Sequence, residues 1–316
     1  MDPENLRALE QRLGRLHARQ RLGIETDHEL RIFGGGRNFF HPENWYSLHS
    51  IMRKALKLSG LYWPGRRNAS RIRVRHNTIR SSSVPARFDG YTILQLSDLH
   101  VDISRAAMRR LASVIEPLAF DLCVMTGDYR GQTFGPFDAT LRGLAALRPT
   151  LREPVYAVLG NHDTIRMVPD LEAMGIRVLL NECVTLSRDG QHLHLGGIDD
   201  AHYYRVDNIE KVAAQIPHNT FSILLSHTPE IFRQAAHARF DVLLAGHTHG
   251  GQICLPGGFP ITLDAALPRR LGKGAWRHNG MIGYTSAGCG TSMVDVRLNC
   301  PPEVTLHQLE RDDRPG

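Results

Sequence analysis

Leu6, Leu9, Leu13 and Leu16 recur at helical spacing with arginines around the rest of each turn, which predicts a helix over residues 3–22. Glycine and proline content marks residues 33–43 as a loop. Trp45, Leu48, Met52, Ala55 and Leu56 then line one side of a second predicted helix over 43–59, opposite Arg53, Lys54 and Lys57. That helix is expected to run into Leu61-Tyr62-Trp63 and to stop at Pro64-Gly65. From about residue 70 the period drops to two. Ile72, Val74, His76 and Thr78 alternate with polar residues, as in a half-buried strand. Apolar, β-branched runs follow at 91–97, 120–126, 154–159, 178–180, 192–198, 220–226, 240–245, 281–286 and 303–309, with helical stretches at 104–117, 137–147, 207–215 and 229–237. Strands alternating with helices, then a denser strand region, predict a mixed α/β domain. The expected organisation is a basic helical extension at 1–69, a main domain at 70–311 and a tail at 312–316.

Charge sharpens that division. The net charge is +6, yet residues 1–90 alone carry about 17 basic and about 8 acidic side chains, leaving a slight acidic excess beyond. The 316 residues, 42% hydrophobic and 22% charged, suffice for one large domain or two small ones. The five cysteines form no Cys-x-x-Cys pair and read as reduced core residues of a reducing compartment. The N-terminus lacks an apolar signal-like stretch, and no apolar run reaches the ~20 residues of a membrane span. The expected location is the cytoplasm, with contact at the inner membrane face open to a basic amphipathic helix.

Candidate chemistry lies in five short segments. They are Ser97-Asp98-Leu99-His100, Thr126-Gly127-Asp128-Tyr129, Leu159-Gly160-Asn161-His162-Asp163, Ser226-His227-Thr228 and Gly246-His247-Thr248-His249-Gly250-Gly251. Each follows an apolar run, so each is expected where a buried strand ends and a loop begins. Such loops gather into one crevice in an α/β sheet. Carboxylate, amide and imidazole donors without thiolate suit Mn, Fe, Zn or Co. In extended backbone, residues two apart point the same way, so Asp98/His100 and His247/His249 would each reach one centre.

These blocks, in this order, resemble the signature of the calcineurin-like metallophosphoesterase superfamily over roughly residues 70–310. Gly250-Gly251-Gln252-Ile253, Ser286-Ala287-Gly288-Cys289-Gly290-Thr291-Ser292 and Pro301-Pro302-Glu303-Val304 are similar to its YkuE/YaeI-type bacterial branch. The resemblance implies a four-layer sandwich of two mixed β-sheets flanked by helices, and two divalent cations, with manganese favoured. Asp98, His100 and His249 would hold one cation, Asn161, His227 and His247 the second, and Asp128 would bridge them. His162 would protonate the leaving oxygen or stabilise phosphoryl charge, with Asp163 orienting it. The implied reaction is hydrolysis of a phosphodiester or pyrophosphate bond by a metal-bridging hydroxide.

The substrate stays open at this level. Within the branch, the resemblance extends to enzymes that cleave the pyrophosphate of UDP-diacylglucosamine, and a membrane-surface helix at 43–63 would suit such a lipid-linked substrate. The rivals are a phosphodiesterase of nucleotides or small phosphoesters, and a binding or scaffold module with a dead site. Nucleic acid is not expected as a partner, because no recognition motif accompanies the basic residues. Asp199 and Asp200 read as solvated loop carboxylates. Arg130 reads as a phosphate contact or an exposed structural arginine. Residues 264–280 read as a loop carrying Arg269, Arg270, Lys273 and Arg277. His17, His28, His76, His192, His237 and His307 read as ordinary surface or core residues.

Overall fold

The computed structural model describes residues 1–33 and 46–312. Residues 34–43 of the expected loop and the first three residues of the expected 43–59 helix lie outside these. In chain order the helices are α1 (Pro3–Leu13), α2 (Arg15–Phe33), α3 (Tyr46–Leu58), α4 (Tyr62–Ala69), α5 (Arg105–Ile115), α6 (Asp138–Leu147), α7 (Val168–Ala173), α8 (Ile209–Ala213) and α9 (Phe232–His237). The strands are β1 (Arg73–Ser81), β2 (Thr92–Leu96), β3 (Leu122–Thr126), β4 (Val155–Val158), β5 (Arg177–Val178), β6 (Glu182–Arg188), β7 (Gln191–Gly197), β8 (Ser222–Leu225), β9 (Val242–Ala245), β10 (Cys254–Leu255), β11 (Phe259–Pro260), β12 (Gly274–His278), β13 (Met281–Thr285) and β14 (Glu303–Arg311).

Two six-stranded mixed sheets form the body. The first runs β1-β14-β2-β3-β4-β5 and the second β12-β13-β9-β8-β7-β6. Strand alternation sorts the core into layers. In β2, Ile93 faces the second sheet while Leu94 and Leu96 face the helices; in β3, Leu122 and Val124 face inward while Cys123 and Met125 face out. In β8 and β9, Ile223, Leu225, Val242 and Leu244 meet them from the other side, and Leu224 and Leu243 turn to α8 and α9. Helices α1, α2, α5, α6 and α7 cover the first sheet. The order of layers is helix, sheet, sheet, helix, as expected for the mixed α/β fold.

Several local expectations are corrected. The single helix at 3–22 breaks at Gly14, whose φ of +93° only glycine adopts readily, and α2 continues to Phe33. Pro64 does not stop a helix; it sits in the first turn of α4, where its missing N–H has no intrahelical partner to lose. The stop falls earlier, at Gly60 with φ +72°. In β1 the alternation shifts: Ile72 and Val74 pack on the helical side, His76 and Thr78 are exposed, and Ile79 is buried between the sheets. Residues 274–278, expected as loop, are strand β12. They pair antiparallel with β13 through Asn279-Gly280, both at positive φ, a turn that suits a two-residue hairpin. Asp189-Gly190 closes the β6–β7 hairpin the same way. Among the described residues, no helix is long and apolar enough to cross a membrane.

Candidate metal centre

Five turns leave the carboxyl ends of parallel strands and meet at one edge of the sandwich. Asp98 and His100 follow β2, Asp128 follows β3 and Asn161-His162-Asp163 follow β4 in the first sheet; His227 follows β8 and His247 and His249 follow β9 in the second. The apolar runs ahead of each motif are those buried strands. The pairs two residues apart do not converge through extended backbone, however. Asp98, His100, Asp128, His247 and His249 all have φ between +40° and +70°. Left-handed backbone is costly for such residues and concentrates at functional sites. Gly160 is required for a different reason: a Cβ there would strike the Asp128 carboxylate.

Two groups of donor atoms result. Asp98, His100 and His249 each bring one atom within 4.8 Å of the others, and Asp128, His227 and His247 do the same. His100 Nε2 lies 3.1 Å from His249 Nε2, which is 3.5 Å from Asp98 Oδ1. His227 Nε2 lies 3.1 Å from His247 Nδ1 and 2.8 Å from Asn161 Oδ1. Asp128 stands between the groups, with Oδ2 at 3.4 Å from His227 Nε2 and 3.8 Å from His100 Nε2.

The outer nitrogens of three rings point at carbonyl oxygens, which only accept. His100 Nδ1 donates to Arg130 O, His227 Nδ1 to Thr126 O and His247 Nε2 to Asp264 O. In the neutral rings this turns a bare lone pair inward from each. His249 differs, because the buried Arg297 guanidinium faces its Nδ1 at 3.1 Å. Arginine only donates, so a neutral His249 ring facing it carries its proton on Nε2, and Nε2 would be free as a ligand only in the other tautomer, with the guanidinium turned away. Burial opposes charging His227, yet Asp128 and Asp98 outweigh it and push the ring up to about 10. The Asp128 and Asp98 carboxylates thus favour positive charge beside His227, while burial keeps His247 and His249 neutral. The donor set of two carboxylates, an amide oxygen and four imidazoles fits a pair of divalent cations.

His162 and Asp163 part company. His162 borders a cavity of about 260 Å³ that also touches Asp128, Asn161, His247 and His249. Its Nδ1 lies 3.3 Å from Thr133 Oγ and its Nε2 3.9 Å from Asp128 Oδ2. The expectation that Asp163 orients this ring is corrected. Both Asp163 oxygens accept backbone N–H groups, from Gly160 and Asp128 on one side and Tyr129 on the other. Burial, reinforced by the Asp128 charge, pushes its carboxyl up to about 6.

Asp199 and Asp200 are buried rather than solvated. Asp199 pairs with His17 Nε2 at 2.8 Å, and Asp200 caps the N–H groups of His202, Tyr203 and Tyr204. Arg130 is buried too, and its guanidinium binds Thr133 O and Gly135 O rather than facing solvent. In the former loop, Lys273 points at Cys300 Sγ and Arg269 lies over the Phe259 ring. Sequence reasoning missed two neighbours of the site. His202 lies with its ring 4.1 Å from that of His247 and its Nδ1 2.6 Å from Glu230. Arg297 also binds His249 O and Gly290 O. Neither sits in a motif, and no spacing signal marks them.

Comparison with known proteins agrees with this geometry. The calcineurin-like phosphoesterase family model matches residues 91–251. The chain is 32% identical to the metallophosphoesterase YkoQ of Bacillus subtilis (strain 168), covering 77% of this chain and 92% of that one. It is 29% identical to YkuE of the same organism, covering 76% and 86%. It is 30% identical to the phosphodiesterase YaeI of Escherichia coli (strain K12), covering 69% and 82%. The chain belongs to the calcineurin-like phosphoesterase family, and it is a metal-dependent hydrolase of phosphoesters.

Proposed function

We propose that this protein hydrolyses a phosphodiester or pyrophosphate bond at two divalent cations, one held by Asp98, His100 and His249 and the other by Asn161, His227 and His247, with Asp128 shared. The observation that carries this is the position of Asp128 Oδ2, within 3.8 Å of imidazole nitrogens from both groups. Bound there, such cations supply Lewis acidity to phosphoryl oxygens and a nucleophilic water at neutral pH. With only nitrogen and oxygen donors in the set, Mn2+ is the cation to test first.

The chain's own residues do the rest. His162, at the cavity wall, donates a proton to the departing oxygen, a contribution of roughly 10²–10⁴-fold. Asp163 holds the turns that carry Asp128 and His162 in register. Carbonyls of Thr126, Arg130 and Asp264 fix the ring orientations of His227, His100 and His247.

The cavity's apolar side supports a substrate with an apolar portion. Met52, Ile253, Ile261 and Met293 line it together with the histidines. Met52 comes from α3, which packs beside Tyr62 and Val296 and leaves Ile51 and Leu58 exposed, with Leu61 and Trp63 exposed just beyond. That surface supports a lipid-linked pyrophosphate of the UDP-diacylglucosamine type, presented at a membrane surface along residues 51–63, over a small soluble diester. Incubation with Mn2+ and that lipid should release UMP and lipid phosphate. Turnover of soluble nucleotide diesters alone, unaffected by Met52→Asp, would favour the small-phosphoester reading instead.

A further inference from the structure

We propose that Arg21 and Glu25 of α2 are positioning residues that hold the loop carrying His162, so that the N-terminal extension is a working part of the active site. This rests on the reading of His162 as proton donor.

Arg21 has no exposed surface. Its Nη2 donates to Asp163 O at 2.9 Å, and its guanidinium lies 3.3 Å over the Tyr204 ring. One helical turn on, Glu25 Oε2 accepts the Thr164 hydroxyl at 2.5 Å and Oε1 accepts the Ile165 N–H at 2.8 Å. Arg21 Nε lies 3.3 Å from Glu25 and 3.6 Å from Asp199, so the buried charges are paired. Residues 163, 164 and 165, the three that follow His162, are thus each held by α2. Arg12 fastens the helix before it through Glu172 and Glu182, and Leu9, Leu13 and Ala18 enter the core of the first sheet.

Stability alone is a poor reason for this arrangement. Desolvating an ion pair offsets much of its attraction, and an apolar pair of the same volume is often as stable. What an apolar pair lacks is a set of directed bonds to one loop. An error of about 1 Å in a reacting group can lower turnover ~100-fold. Residues 21 and 25 lie outside the 91–251 stretch matched by the family model.

The test uses the full Mn2+-loaded chain and methyl aryl phosphate diesters graded from 4-nitrophenol to phenol as leaving group. A nitrophenolate leaves without a proton; phenolate needs one more. His162→Ala should steepen the fall of kcat with leaving-group basicity. Arg21→Met should steepen it in the same sense, lowering kcat for the phenyl ester up to ~100-fold while metal content stays unchanged. Arg21→Lys, which keeps charge and donor, should recover most of the loss. Should Arg21→Met fail to fold by circular dichroism, Thr164→Val removes the far end of the Glu25 contact and should show the same trend. An unchanged slope in His162→Ala sinks the proton-donor reading and this proposal with it. A steepened slope there, with parallel unshifted lines for Arg21→Met or its substitute Thr164→Val, sinks this proposal alone.

Discussion

The carboxylate of Asp163 accepts the backbone N–H of Asp128 at 2.8 Å, joining turns that lie 35 residues apart in the chain. The same oxygen accepts Gly160 N–H and its partner oxygen accepts Tyr129 N–H. Asp128 Oδ1 returns the link by accepting His162 N–H at 2.9 Å. The β3 and β4 turns are therefore one hydrogen-bonded unit, and the two side chains most important to the proposed chemistry share it. Asp163→Asn turns an amide N–H2 toward backbone donors and leaves at least one buried donor unmatched, which costs about 1–3 kcal/mol. Thermal denaturation should show a lowered Tm, and kcat should fall with it; an unchanged Tm contradicts the assignment.

Asp128→Asn removes the charge shared by the two donor groups. Turnover should be abolished and bound metal should drop well below that of the wild type in elemental analysis. Full metal content in the variant would mean that Asp128 does not hold the cations.

His162→Ala should leave metal content near the wild-type value while lowering kcat by roughly 10²–10⁴-fold. Loss of metal from this variant would make His162 a ligand instead of a proton donor.

Arg297→Lys withdraws the guanidinium from His249 Nδ1 and from the Gly290 carbonyl. Without that donor the neutral His249 ring can carry its proton on Nδ1 and offer a bare Nε2 to the cation, so Mn2+ titration should show one strengthened site. Unchanged affinity at both sites would contradict the role.

Glu230 and His202 carry a pH dependence of their own. Partial burial opposes charging Glu230, but the hydrogen bonds from His202 and from Ala266 N–H outweigh it and hold the carboxyl down at about 2. Its stabilisation is therefore complete above the ordinary value of 4.5 and lost as pH falls toward 2. Burial likewise opposes charging His202, and Glu230 outweighs it and raises the ring above 6.5. That contribution is complete below 6.5 and lost as pH rises through the raised value. The Tm penalty of Glu230→Gln should thus be largest between pH 4.5 and 6.5 and shrink on either side. A penalty constant from pH 3 to pH 9 would show that no ion pair is present.

The parts of the site legible in the sequence were those tied to local pattern. Asp98, Asp128, Asn161, His227 and His247 each follow a run of buried strand residues, and such runs announce where a strand ends. Residues acting from a distance left no comparable trace. Arg21, Glu25 and Arg297 look like surface charges until the fold buries them, because their partners lie 48 to 142 residues away. Asp199 and Asp200 misled for the same reason: a pair of aspartates after a strand reads as solvated unless His17 and Arg21 are known to reach it. The missed strand β12 had a readable signal in Asn279-Gly280, hidden by the basic residues around it. The break at Gly14 was equally visible, but leucine spacing continues across it and the periodicity masked the turn.

The central claim is most directly tested by anomalous diffraction from crystals of the full chain grown with Mn2+. Two peaks should appear, one among Asp98, His100 and His249 and one among Asn161, His227 and His247, with the Asp128 carboxylate between them. A single peak, or peaks that leave Asp128 out, would contradict the account.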